Sequence, residues 1–233
     1  MAAVVGSGIA ASRLSPGDVG LQLLENAVAT AAALTAIMLA LGRVSGAQLN
    51  PAVTLAVRVF GGLRTSEAAA YIGAQLVGGS LGAVVANAMF GLPLIDVSTT
   101  ARRSGALWLS EVVATFGLLL VVFCLVRTSR RSVLPFAVGA YIGGAYLFTS
   151  STSFANPAVT VARTLSDTFA GIAPGSVLPY VIAQLVGAAL AVGAVRALYP
   201  TGPESRDDVV PDAGAGRARA AGVPWMYGRF HAR

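Results

Sequence analysis

Two short stretches hold the polar groups best placed for chemistry in an otherwise oily chain: SGAQLNPAVTLAVR, from Ser45 to Arg58, and STSFANPAVTVAR, from Ser151 to Arg163. Each contains Asn-Pro-Ala followed by an apolar residue and Thr (Asn50, Pro51, Ala52; Asn156, Pro157, Ala158). Asparagine is a favoured N-cap because its side chain satisfies an orphan backbone N–H. Proline suits the first helical position, where its missing N–H costs nothing. Together they start a helix whose N-terminus carries roughly half a positive charge, with an amide donor beside it. That is chemistry for orienting a neutral hydrogen-bonding molecule rather than for breaking a bond. Simple capping without a pore is the competing reading.

Little else in the chain is reactive. The one histidine, His231, lies in a polar C-terminal stretch, so no His-based metal site or catalytic dyad can be assembled. The one cysteine, Cys124, sits in an apolar run and allows no intramolecular disulfide. No nucleophile–base set and no metal cluster emerges, which argues against an enzyme, and no cofactor is called for.

The elements that position the two motifs are membrane-spanning. Charged residues make up 11% of the 233 and hydrophobic ones 55%, against about a quarter charged in a soluble domain. Five runs approach the roughly 20 residues needed to cross a bilayer: about Val19–Leu41, Glu67–Phe90, Ala106–Val126, Val133–Thr149 and Val177–Leu198. The fourth is short unless its flanks contribute. The net charge of +6 comes entirely from arginine on the basic side and is concentrated in loops and tail. Such a distribution encodes membrane orientation rather than nucleic-acid binding. Residues 201–233 mix charge, Gly and Pro with no apolar period and read as a disordered cytoplasmic tail; Trp225 and Tyr227 within it read as incidental.

The opening MAAVVGSGIAAS is apolar for only 12 residues, about 18 Å as a helix against a hydrocarbon core of about 30 Å. It reads as the back half of a spanning helix whose front half is missing, and it lacks the basic leader of a signal peptide. The chain also repeats itself. NPAVTLAVR at Asn50 recurs as NPAVTVAR at Asn156, and YIGAQLVG at Tyr71 recurs as YVIAQLVG at Tyr180. The offsets are 106 and 109 residues. A channel-like domain of residues 1–200 thus divides into repeats at about 1–92 and 106–200, with residues 1–12 the remnant of a first helix. Three spans per repeat force opposite insertion of the two halves, an architecture common in transport proteins. Placing the Arg58–Arg64 and Arg127–Arg131 loops and the tail inside leaves Arg13, Arg102, Arg103 and Arg163 outside, in keeping with the positive-inside rule.

About ten residues follow each Asn-Pro, half a membrane thickness. Each motif therefore starts a half-helix inside the bilayer, preceded by extended backbone around Val44–Leu49 and Ser150–Ala155. Unpaired carbonyls at that depth must be buried in protein or line a watery cavity. With opposite orientations the two half-helices meet end to end at the membrane centre.

The paired SGAxLNPAVT-type motifs, the paired AQLVG segments and the acidic Glu111 within a span resemble the aquaporin (major intrinsic protein) family over roughly residues 1–200. The resemblance implies an all-α membrane protein: a right-handed bundle of inverted repeats, with six helices, two re-entrant half-helices, a pore in each protomer and a homotetramer. It implies that Glu111 is structural, accepting hydrogen bonds from loop backbone to hold the second half-helix; the first repeat lacks an equivalent acid. Glu25 reads as a headgroup-level residue, with an outer-vestibule role as the minority reading.

The chain departs from the family at one position. Most members follow the second Asn-Pro-Ala with an arginine that forms the narrowest ring; here that residue is Val159. Counting along the family pattern puts Thr30, Gly144 and Ser153 at the other ring positions, none aromatic, histidine or charged. Arg163 follows Val159 by four residues, about 6 Å nearer the outer mouth. It reads either as a displaced substitute or, more simply, as a cation at the half-helix C-terminus and the lipid headgroups. These residues suggest a wide, aquaglyceroporin-like channel for glycerol-like polyols and water. By analogy with bacterial members associated with arsenic resistance, undissociated arsenite-type solutes join that set. A water-selective or simple glycerol channel is the runner-up. A secondary transporter and a non-conducting protein are the alternatives of other classes. The expected setting is the cell's inner or plasma membrane, crossed several times, with the tail cytoplasmic.

Overall fold

The computed structural model describes residues 1–200; the tail expected at 201–233 lies outside the described residues. Eight α-helices follow one another: α1 (Ala2–Leu14), α2 (Val19–Ser45), α3 (Pro51–Val59), α4 (Thr65–Met89), α5 (Gly105–Arg127), α6 (Leu134–Phe148), α7 (Pro157–Ala162) and α8 (Val177–Leu198). Among the described residues, α2, α4, α5 and α8 (the last with its leading turn from Pro174) are long and apolar enough to cross a membrane. The protein is a multi-pass, all-helical membrane protein. At 15 residues α6 covers only about 22 Å; a 3-10 turn at Arg131–Val133 runs directly into it and adds the missing length. Pro135 sits in its first turn, where it removes no helical hydrogen bond.

Helix ends follow local chemistry. Asp18 caps α2 through a bond from the Leu21 N–H, and Ser104 caps α5 through one from the Leu107 N–H. Gly46 ends α2 in the left-handed conformation at φ 67°, which glycine adopts without a Cβ penalty. Consequently Val44 and Ser45 remain helical, and the non-helical approach to the first motif begins only after them.

The spanning helices pack through small residues, as helices in lipid do when dispersion and close approach replace hydrophobic drive. On α8, a Cβ at Gly187 would overlap the Val112 carbonyl oxygen of α5. On α6, a Cβ at Gly139 would overlap the Thr35 hydroxyl of α2. These two crossings, α5 on α8 and α2 on α6, form the frame of the bundle. Helix α1 leans on α2 and α4, with Val5 and Ile9 buried against Ala83 and Ala86. The short α3 and α7 insert from opposite directions between the long helices. Their buried faces (Ala52, Thr54 and Ala56; Ala158, Thr160 and Ala162) are small enough to let the neighbours close in.

Candidate functional site

The two Asn-Pro-Ala motifs meet. Asn50 has extended backbone, accepts from the Ala52 N–H at 2.9 Å and leaves Pro51 as the first residue of α3. Asn156 does the same for α7, accepting from the Ala158 N–H at 2.9 Å and the Val159 N–H at 3.3 Å. Each side-chain amide then crosses to the other repeat. Asn50 Nδ2 donates to the Ala155 carbonyl at 2.7 Å, and Asn156 Nδ2 donates to the Leu49 carbonyl at 2.9 Å. Capping orients each amide, and the crossed bonds fix the distance between the half-helix N-termini.

The segments before the motifs are not uniformly extended. Ala47 takes φ 47° and Ser153 φ 48°, each three residues ahead of its asparagine. Thr152 and Ala155 are also left-handed, at φ 61° and 47°. Non-glycine residues there carry about 1 kcal/mol or more of strain each, held because surrounding bonds over-determine the path. In the second repeat Glu111, fully buried, accepts from the Phe154 and Ala155 N–H groups at 2.9 Å each.

A pair of glutamines completes the support, one from each AQLVG stretch. Gln184 Nε2 donates to Glu111 at 2.6 Å and to the Thr160 hydroxyl of α7 at 2.9 Å. Gln75 Nε2 donates to the Thr54 hydroxyl of α3 at 2.9 Å and, with no carboxylate in this half, directly to the Gln48 carbonyl at 2.6 Å. The first repeat therefore manages without an acid because its glutamine reaches the loop backbone itself. The repetition of these stretches is plain in the sequence, but the task of their glutamines is not. The available signal was a polar residue held at one place in both copies of an apolar helix.

A cavity of about 490 Å³ runs past the motifs. Its walls include Ala47, Gln48, Leu49 and Asn50 from the first approach, and Ser153, Phe154, Ala155 and Asn156 from the second. Apolar side chains, among them Val53, Leu118, Val122, Phe123, Val138 and Ile142, line much of the rest, with Tyr71 and Gln75 of α4 among the polar ones. Of the four ring positions expected from counting, Thr30, Ser153 and Val159 border this cavity. Gly144 does not. It lies on the outward stripe of α6 with Phe136, Ala140 and Leu147, and a Cβ there would meet nothing within 4 Å. The inward stripe of α6 is Val138, Ile142 and Tyr146, because Gly139 and Gly143 turn their bare faces to α2 and set the helix rotation. Tyr146, 3% exposed, takes the place at the cavity wall, and its hydroxyl accepts from Thr30 Oγ1 at 3.5 Å. The lining is therefore not free of aromatics.

Arg163 meets the simpler expectation only in part. It caps the C-terminus of α7, as a cation should, yet it is 2% exposed and reaches neither headgroups nor the cavity wall. Its guanidinium lies 3.6 Å from the centroid of the Phe154 ring, and Nε donates to the Ala170 carbonyl. Glu25 accepts from the Ser15 hydroxyl at 2.7 Å, away from the cavity walls.

The family model described as "Major intrinsic protein" matches residues 1–155, two thirds of the chain. The chain belongs to the major intrinsic protein family. Among proteins similar to this member is the aquaglyceroporin AqpS of Rhizobium meliloti, 47% identical over 204 residues, or 87% of each chain. The probable aquaporin AqpM of Archaeoglobus fulgidus is 34% identical over 177 residues, covering 70% of this chain and 72% of its own. The aquaglyceroporin of Plasmodium falciparum superposes with a TM-score of 0.66 at 20% identity, over 85% of this chain and 92% of the other, and shows the shared fold. As a major intrinsic protein, the chain is a membrane channel for water and small solutes and not an enzyme.

Proposed function

We propose that the protein is a passive channel for small uncharged solutes: glycerol-like polyols, water and undissociated arsenite-type solutes. The observation carrying this reading is the uncharged lining beside the second motif. Val159 borders the cavity where a guanidinium would otherwise project, with Thr30, Ser153 and Tyr146 as the other members of the proposed ring. Hydroxyls at three of these four positions can exchange hydrogen bonds with a polyol, and the valine leaves room for its carbon skeleton.

Transit follows from the same groups. A neutral solute gives up water and regains hydrogen bonds from backbone carbonyls on either side of the motifs and from the second hydrogen of each asparagine amide. Two opposed half-helix N-termini put a positive potential at the midpoint, which repels cations and orients a central water so that protons are not relayed. The similarity to AqpS, named an aquaglyceroporin, supports polyols over water alone. We further propose a homotetramer in the cell's inner or plasma membrane with the tail on the cytoplasmic side, in keeping with the arginine-rich Arg127–Arg131 loop facing inward.

Stopped-flow measurements on proteoliposomes test the reading by comparing water, glycerol, urea and arsenite for the wild type and Val159→Arg. The wild type is expected to pass all four. The variant should keep water flux and lose most flux of the larger solutes. Unchanged glycerol and arsenite permeation in Val159→Arg would sink the role given to Val159.

A further inference from the structure

Charge is divided unevenly between the two faces of the bundle. The face at which α2, α3, α5 and α8 end holds Arg43, Arg58, Arg64, Arg196 and the three arginines of the Arg127–Arg131 loop, with one acid, Glu67. Glu67 is taken up by Arg64 at 2.8 Å. The opposite face mixes Arg13, Arg102 and Arg103 with Asp18, Asp96 and Asp167. Two arginines of the first face converge. Arg127, the last residue of α5, stands over the Phe60 ring at 5.5 Å from its centroid. Arg196, in the last turn of α8, stands over the same ring at 5.7 Å. Its Nη2 also donates to the Val59 carbonyl at 3.4 Å, and Phe123 packs on the ring at 4.9 Å between centroids.

Two like charges held at one ring repel each other, and no carboxylate pairs with either among the described residues. An anion that bridges them removes that cost. Phosphate suits the task, because the guanidinium fork binds its oxygens two at a time. Depth and surroundings say which phosphate. With 23 residues α5 is about 34 Å long, against a hydrocarbon core of about 30 Å. Its last residue therefore comes out at headgroup level. The surface beside the pair is apolar: Val59 is 52% exposed and Leu198 62%. A free anion makes no use of those side chains. An acyl chain covers them while its phosphate meets the guanidiniums.

We propose that the arginine pair at Phe60 is a binding site for an anionic phospholipid. Arg127 and Arg196 take the headgroup phosphate, and Val59 and Leu198 take the first part of an acyl chain. A zwitterionic lipid carries the same phosphate, but its quaternary ammonium is repelled by the two guanidiniums. Phe60 caps α3, so a headgroup that fixes the two arginines also fixes the end of the half-helix that Asn50 begins. The site stands apart from the solute path, since Phe60, Arg127 and Arg196 do not border the cavity.

The experiment uses the full chain in detergent with phosphatidylglycerol, phosphatidylcholine of the same acyl chains, or inorganic phosphate added. It reads retained lipid by native mass spectrometry and the unfolding temperature in parallel. The wild type should hold phosphatidylglycerol about tenfold or more tightly than phosphatidylcholine, and unfold at a higher temperature with it. Arg127→Gln combined with Arg196→Gln should lose that preference. Arg130→Gln, on the same face but not at the ring, should keep it. Should the double variant fail to assemble, Arg196→Gln alone decides, at an exposed position where several-fold weaker phosphatidylglycerol binding is expected. Equal retention of both lipids by the wild type overturns the proposal, as does wild-type binding by Arg196→Gln. An equal loss in Arg130→Gln overturns it in favour of diffuse attraction to the whole face. Inorganic phosphate that raises the unfolding temperature as far as the lipid does overturns the lipid as occupant.

Discussion

Asn50 and Asn156 each donate a side-chain hydrogen bond to the carbonyl immediately preceding the other, at 2.7 Å to Ala155 and 2.9 Å to Leu49. The exchange couples the two repeats at one point, and it makes the energetics of the two asparagines mutually dependent. Either substitution to alanine removes a cap as well as a crossed bond, with an expected cost of about 1–2 kcal/mol. Because the two bonds share one junction, Asn50→Ala and Asn156→Ala should be non-additive by about 1 kcal/mol in a double-mutant cycle. Thermal unfolding in detergent measures this, and simple additivity would mean that the crossed bonds do not cooperate.

Glu111→Gln tests the support of the second motif's approach. The neutral amide offers one acceptor oxygen where the carboxylate offers two, and turns an NH2 group toward a backbone N–H or toward Gln184. The expected loss is about 2–3 kcal/mol of stability, the range for a hydrogen bond to a charged partner. Glycerol flux should fall with it, since Phe154 and Ala155 border the lumen. Gln184→Ala should cost more than Gln75→Ala, because only Gln184 serves a buried charge.

The rotation of α6 gives a clean contrast between neighbouring residues. Gly144→Trp should leave glycerol flux near wild type, since the new side chain projects from the outward stripe into open space. Tyr146→Ala should raise the flux of four-carbon polyols relative to glycerol several-fold. A tryptophan at Gly144 that blocks glycerol would restore that position to the lumen and remove Tyr146 from it.

Asp167 ties the segment at Ser98 and Thr99 to the one after α7. Its carboxylate accepts from the Thr99 N–H at 2.9 Å, the Thr99 hydroxyl at 3.0 Å and the Ser98 hydroxyl at 3.3 Å. The Thr99 backbone bond, ahead of the hydroxyls, holds its pKa below the ordinary 3.8. A depressed carboxylate pKa contributes stability above the unfolded value and loses it as pH falls through the folded one. Asp167→Asn should therefore unfold at a lower temperature than wild type at pH 7, with the gap closing below about pH 4. An equal gap at pH 7 and pH 3 would show that the carboxylate charge plays no part.

Much of the architecture was legible from the chain alone, and the reason is locality. Continuous apolar runs mark the spans, and Asn-Pro marks two helix starts wherever they lie. The residues that escaped are those whose placement depends on something far away. Counting along the family pattern puts Gly144 at the ring, but α6 is turned by the fit of Gly139 and Gly143 against Thr35 and Ala31 of α2. The habit of terminal arginines places Arg163 at the end of α7, where it stands, but not its burial, which comes from the segment after α7 folding back so that Ala170 and Ile172 bond to it. The left-handed turns at Ala47 and Ser153 were invisible because neither residue type favours them.

Part of the cavity wall is the non-helical approach to each motif, Ala47 to Leu49 and Ser153 to Ala155. Point mutation cannot edit a carbonyl. Along those stretches inheritance can alter only shape, and every change of chemistry must enter through a few side chains such as Thr30, Tyr146 and Val159. A pore built this way confines its own divergence to a handful of addresses, while the rest of the passage stays the same whatever amino acids spell it.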